Sequence, residues 1–240
     1  MTGPSLERYS PAWRSAQAAM WLGASLRGAS ADDVFDGLAP LGEPPGGWWD
    51  VVANLKASHR PRVVLTLPRP GDRRGVHIPA TVDLEGAVGC SAGLHKRWLG
   101  AHTSDQWLGW DDHTGSPWPT VAVDAADRGL RAAVVLAAHS LDDTGTNPLG
   151  QGLPSFVDTI VDAWLEPAHR LPAASRRLAA AALPMLVAFH LAASAQTPVG
   201  ITVHETQRMV TTLRSVEPAA RTALEAAYST ATITSGGRDG

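Results

Sequence analysis

The hydrophobic period changes twice along these 240 residues, and that change constrains the fold more than any other feature. In residues 1–60 apolar side chains recur at helical spacing, with Trp13, Ala16, Met20 and Ala24 on one face. At Arg62 the pattern becomes that of a buried strand: Arg62-Val-Val-Leu-Thr-Leu67 is β-branched, apolar and closed by Pro68. Residues 76–124 alternate weakly, and short strands are predicted at Ala87–Ala92, His95–Leu99, Gln106–Trp110 and Thr120–Val123. From Asp124 the helical period returns. A chain helical at both ends and stranded in its middle is predicted to be α+β, a small irregular mixed sheet with flanking helices plus a C-terminal helical bundle. The expected division is an N-terminal α+β lobe over 1–150 and a C-terminal helical lobe over 151–240 with a frayed tail, in one compact unit.

Local signals place the helix ends. Ser30 with Asp33 reads as a cap and first-turn acid of a short helix ending near Leu41-Gly42. Pro44 to Gly47 break the chain before a helix over Trp48–Ser58. Asp124 caps a helix whose stripe is Leu130, Ala133, Val134, Ala137, Ala138 and Leu141, and Asp142–Leu153 reads as a linker. Pro154 opens a helix with Phe156, Ile160, Val161 and Trp164 on one face. Pro172 opens a long helix to Ala195, kinked by Pro184. Thr202 to Glu205 has the form of a capping box, and Pro218 is expected to open the last helix, through Leu224 and Tyr228.

Composition excludes several classes. The single cysteine, Cys90, rules out a disulfide framework and a zinc site on paired cysteines. A net charge of −3 is not that of a polycation built for nucleic acid. Leu178–Ala195 is apolar, but Pro184, His190, Ser194 and its many alanines read as a buried bundle helix rather than a membrane span. No secretory pattern opens the chain, so a cytoplasmic protein with a reduced Cys90 is expected. Arginine supplies 18 of the 20 basic residues, leaving only Lys56 and Lys96, and Trp occurs nine times against three Phe and two Tyr. All of these biases follow from GC-rich codons, so the tryptophans are not by themselves a stacking platform.

Four segments together, MWLGASLRG over Met20–Gly28, VLTLPRPGD ending at Asp72, LPAASRRLAA over Leu171–Ala180 and ARTALEAAY over Ala220–Tyr228, resemble an Ala-rich, uncharacterised protein family of actinobacteria. That family has no assigned activity. The resemblance implies origin and overall layout and supplies no catalytic residue.

Four groups of residues invite a chemical reading. Gly89-Cys-Ser-Ala-Gly93 fits the G-x-S-x-G nucleophile elbow, which would make Ser91 a nucleophile with Asp124 or Asp142 and His139 or His169 following in order. Asp83, Glu85 and Gly86 interrupt the strand such an elbow needs, which favours a glycine-rich turn. His95, His102, Asp111, Asp112 and His113 suggest metal, yet none forms an i, i+4 helical pair. Arg69, Arg73 and Arg74 follow the best strand in a Pro/Gly-rich turn able to offer guanidinium forks to an anion or nucleic-acid backbone. The alternative is pairing with Asp72, Asp105, Asp111 or Asp112. Trp48-Trp49 and Trp107-x-x-Trp110 either fill the core or anchor a partner. His190, inside an apolar helix, reads as a bundle histidine. No cofactor or metal is indicated. The expectation is a non-enzymatic protein that binds a protein partner or itself, with a serine hydrolase using Ser91 and an anion binder using Arg69–Arg74 as alternatives.

Overall fold

Pro11 begins the first described element of the computed structural model, which describes residues 11–69, 71–74, 76, 86–92, 95–102, 106–115, 118–142, 161–162, 164–194 and 203–229. These divide into two compact units, one within 5–120 that also takes Tyr228 and Ser229, the other within 121–227.

The first unit is a helical layer on a four-stranded sheet. Helices α1 (Pro11–Leu26), α2 (Ala31–Leu38) and α3 (Gly47–Ala57) precede strands β1 (Val63–Thr66), β2 (Ala87–Ala92), β3 (His95–Ala101) and β4 (Trp107–Asp112). The strands pair in chain order, and every pairing is antiparallel, in contrast to the mixed sheet expected. Two residues link β2 to β3 and five link β3 to β4, and connections that short permit only antiparallel neighbours. The expected strand at Thr120–Val123 is absent: Val123 opens a helix.

Register assigns the side chains to faces. Val63, Cys90, Arg97 and Asp111 share one row, Leu65, Val88, Leu99 and Gly109 the next, and Ala101 with Trp107 a third on the same face. The N-terminal helices cover this face. Trp107 meets Arg14 of α1, its ring centroid 4.9 Å from the guanidinium, and Trp48 of α3, edge to face at 5.3 Å. The opposite face carries Val64, Gly89, Trp98 and Trp110 in one row and Ser91, Lys96 and Asp112 in the next. Trp118 packs there, its ring 6.0 Å from that of Trp98.

Helix α1 is buried nearly all round, including Arg14, Ser15 and Gln17, beyond the single apolar face its sequence shows. Arg14 carries its charge inside because the chain brings carbonyls to it. Its Nε donates to Leu41 O at 3.0 Å, its Nη2 donates to the same oxygen, and Trp107 Nε1 adds a third donor at 2.8 Å. Leu41 ends a 3-10 turn, Ala39–Leu41, directly after α2. This carbonyl therefore ties α1, the α2–α3 connection and β4 together. Removing the arginine would leave a buried acceptor short of donors.

The second unit is helical: α4 (Val123–Asp142), a 3-10 turn at Glu166–Arg170, α5 (Ala173–Ser194) and α6 (Val203–Tyr228, whose last residue joins the first unit). On α4, Leu130 and Ala137 of the expected stripe are buried and Ala133 and Val134 half-buried, whereas Ala138 is exposed; Ala126 is buried as well. Helix α5 buries Ser175, Leu178, Ala179, Ala182 and Leu183 and exposes Arg176, Arg177 and Ala180, so it is amphipathic rather than buried on all sides. It continues through Pro184, whose missing N–H strips Ala180 O of its partner; Ala180 is exposed, and water can replace it. The same holds at Pro218, which lies inside α6 instead of starting a helix. Arg214, four residues back, is exposed. The capping box at Thr202, the helix from Pro154 through Phe156 and Ile160, the tail and the His190 side chain lie outside what is described. Among the described residues no helix is long and apolar enough to cross a membrane.

Candidate functional site

The surface formed by α2 and α3 carries the most exposed aromatic side chain described in the first unit. Ser30 starts α2 as its sequence requires, its Oγ accepting Asp33 N at 3.1 Å. Val34 and Leu38 point inward, which leaves Asp32, Asp33 and Asp36 exposed and Phe35 half-buried. Trp21 of α1 lies against Gly37, where a Cβ would come 2.0 Å from the indole; only glycine lets α2 approach so closely.

Helix α3 is entered through Gly42 and Gly46, both at positive φ. Glu43 Oε2 accepts Trp48 N at 3.2 Å, and Trp48 Nε1 donates to Gly42 O at 2.8 Å. These bonds fix the rotation of the helix. Trp48 goes in against Trp107, and Trp49, about 100° further round the helix, goes out. Trp49 is 70% exposed and stacks on Phe35 with centroids 5.4 Å apart and planes 21° from parallel. The Trp pair thus has two roles, one core and one surface, where the sequence pattern suggests a single role for both. Of the other pair, Trp107 is buried and Trp110 half-buried.

The sequence signal that marks this surface is a charge gap, which motif reading passes over. Between Arg27 and Lys56 there are five acids, Asp32, Asp33, Asp36, Glu43 and Asp50, and no basic residue. All five are exposed. Arg97 reaches the margin of this surface from β3, donating from Nη2 to Pro45 O at 2.8 Å.

Ser91 lies within β2, and the chain after it turns into β3, not into the helix of a nucleophile elbow. Its Oγ accepts Arg62 N at 2.9 Å and donates to Arg60 O at 3.1 Å. The hydroxyl extends the β1–β2 ladder past its last pair. Asp124, His139 and His169 belong to the second unit, and Asp142 closes α4. Gly89 of the same motif faces Trp98 and Trp118, with no room for a side chain between it and the rings. Cys90, fully buried opposite Val63 and Arg97, has its thiol pushed up to about 12 by burial, against a smaller opposing pull from Arg97.

Asp72 takes up two of the three turn arginines. Arg69 Nε stands 4.0 Å and Arg74 Nη1 3.9 Å from Asp72 Oδ2, while Arg74 N donates to Oδ1 at 3.1 Å. Arg69 and Asp72 also bridge each other's backbones, with Gly71 between them at φ +83. Arg73 is exposed.

The histidines and acids whose proximity in sequence suggests metal separate in the fold. His95 contacts Asp111 at 3.5 Å and His113 ring to ring at 4.6 Å, whereas Asp112 turns to the other face and His102 is exposed. Among the described residues no group of three such side chains could hold a metal. Asp112 instead meets Lys96 Nζ at 3.5 Å beneath the Trp118 ring. Burial opposes its charge, but the hydroxyl and amide of Thr114 and the Lys96 ammonium outweigh it, so the Asp112 carboxyl is held down at about 2.

No family model, curated protein or solved structure matches the chain.

Proposed function

We propose that the chain works by binding another protein, and that the α2–α3 surface is where it binds. The observation that carries this reading is Trp49, 70% exposed yet held in a defined stack on Phe35. A solvated indole forgoes the burial that makes tryptophan stabilising, roughly 25 cal/mol per Å² of apolar area. Tryptophan is also the residue type most enriched where interfaces concentrate their energy. The stack adds rigidity: Trp49 is already ordered, so docking sacrifices little side-chain entropy. The scaffold beneath it is fixed by Trp48, Glu43 and the Leu41 carbonyl, so the surface is carried on a rigid part of the fold.

A photo-crosslinking side chain at position 49 tests the reading in cells that make the protein. A discrete protein adduct is expected there and not from the same probe at exposed Arg60 of the same unit. Equal labelling from both positions would refute it.

A further inference from the structure

We infer that the α2–α3 surface takes a basic segment of its partner, a stretch in which arginine or lysine alternates with apolar side chains. The inference rests on the reading of this surface as a docking site and adds the chemistry of its occupant. Two observations on the same surface carry it. The first is the Phe35–Trp49 stack, an apolar platform with an exposed π face. The second is the charge beside it. Asp32 and Asp36 lie four residues apart on α2, three before and one after Phe35 in the chain, and both are exposed. Like charges at this spacing repel across one face of a helix. Among the described residues neither carboxylate forms an ion pair, and the chain places no basic residue between Arg27 and Lys56.

An apolar partner would gain from the stack but would have to strip water from the carboxylates beside it without replacing their hydrogen bonds. A second copy of the same surface would bring acid against acid. A guanidinium or ammonium resolves both conflicts. It donates to Asp32 or Asp36, and its flat or methylene portion lies on the Trp49–Phe35 platform, where the ring quadrupole also attracts the cation. Arginine suits this best, since one group makes the fork to a carboxylate and stacks on an aromatic ring. Asp50, one residue after Trp49 and exposed, extends the negative surface along α3, and Arg97 at its margin bounds it. The occupant is therefore a short basic strand or helix turn crossing α2 and α3.

The test is fluorescence anisotropy with the full chain and a labelled short peptide of alternating arginine and leucine, against its glutamate-for-arginine counterpart and an uncharged serine-for-arginine version. The arginine peptide is expected to bind, to weaken as salt rises, and to lose about tenfold or more in affinity with Trp49→Ala and separately with Asp32→Asn/Asp36→Asn. All of these changes are on the surface, and an unchanged thermal midpoint verifies the fold. If binding depends on Trp49 but the serine peptide binds as well, or the carboxamide variant binds normally, the basic occupant is wrong while the docking surface stands. A dimer dispersed by Trp49→Ala in sedimentation, with no peptide binding, would likewise overturn the basic occupant and leave the docking surface in place. If the arginine peptide binds equally to Trp49→Ala, the surface itself is refuted.

Discussion

Ser91 Oγ accepts the Arg62 amide at 2.9 Å, and in the same position it donates to the Arg60 carbonyl at 3.1 Å. The Ser91 amide still donates to the Arg62 carbonyl at 3.0 Å, so the hydroxyl supplies the other half of the rung that follows the pair of Val63 with Cys90. Ser91 is 7% exposed, so water is a poor substitute. Ser91→Ala should therefore destabilise the fold by about 1–2 kcal/mol, the cost of leaving a part-buried amide and carbonyl unmatched. Urea unfolding at fixed pH measures this, and an unchanged midpoint would show that the hydroxyl is not structural.

Asp112 predicts an acid limb in the stability profile. Its carboxyl is held down at about 2 in the folded protein, against an unfolded value of about 3.9. A depressed acid stabilises the folded state fully above the unfolded value, and loses that contribution as pH falls through the folded one. The stability should thus drop between about pH 4 and pH 2. Asp112→Asn should be less stable than the parent at neutral pH by about 3 kcal/mol, since Lys96 keeps a buried charge without its carboxylate. The two proteins should converge near pH 2. Parallel curves across that window in thermal denaturation would remove Asp112 as the group responsible.

The helices are legible in the sequence where one local rule governs them. Ser30 caps α2, and the stripe through Leu130 marks α4, because capping and periodicity act within a few residues. Pro218 misleads because proline favours a first helical turn, whereas an exposed residue four positions earlier makes it tolerable within a helix. The sheet is legible as segments but not as an antiparallel meander with faces, since faces depend on register. Register is what separates neighbours in sequence: Asp111 goes to His95 and Asp112 to Lys96. The same limit applies to Trp48 and Trp49. Consecutive helical residues diverge, and only the Glu43 and Gly42 contacts decide which one is buried. The role of Arg14 is unreadable from sequence because its partners are carbonyls, which every residue has.

The turn after β1 predicts a response to anions that the parent lacks. Asp72 stands against both Arg69 and Arg74, so the carboxylate occupies the position an external anion would take. Phosphate should raise the thermal midpoint of the parent little beyond its general salting effect. Asp72→Asn keeps an oxygen to accept Arg74 N but removes the charge, and its midpoint should rise with phosphate. Adding Arg69→Ala and Arg74→Ala to that variant should abolish the rise. A parent protein stabilised by millimolar phosphate and desensitised by Arg73→Ala/Arg74→Ala would instead assign the turn as an anion site.

Gly89 makes the sharpest prediction about the G-x-S-x-G segment, because its reason for being glycine is visible. A Cβ there would stand 2.7 Å from Trp98 Cζ3 and 2.8 Å from Trp118 Cζ3, closer than real Cβ contacts allow. Trp98 is 1% exposed and packs with Val76 and Ala87, so it has little freedom to withdraw. Trp118 must then move, and with it the ring face over Lys96. Gly89→Ala should cost about 1–3 kcal/mol by overpacking and alter the near-ultraviolet circular dichroism of the tryptophans. A nucleophile elbow needs this glycine for a tight turn, and its replacement would act on catalysis. Here the strand is regular, so the effect should be on stability alone. Trp118→Leu removes one of the two obstructing rings, and the cost of Gly89→Ala should be smaller in that background than in the parent. Equal costs in the two backgrounds, measured as a double-mutant cycle by urea unfolding, would show that the indole of Trp118 is not what excludes a side chain at position 89.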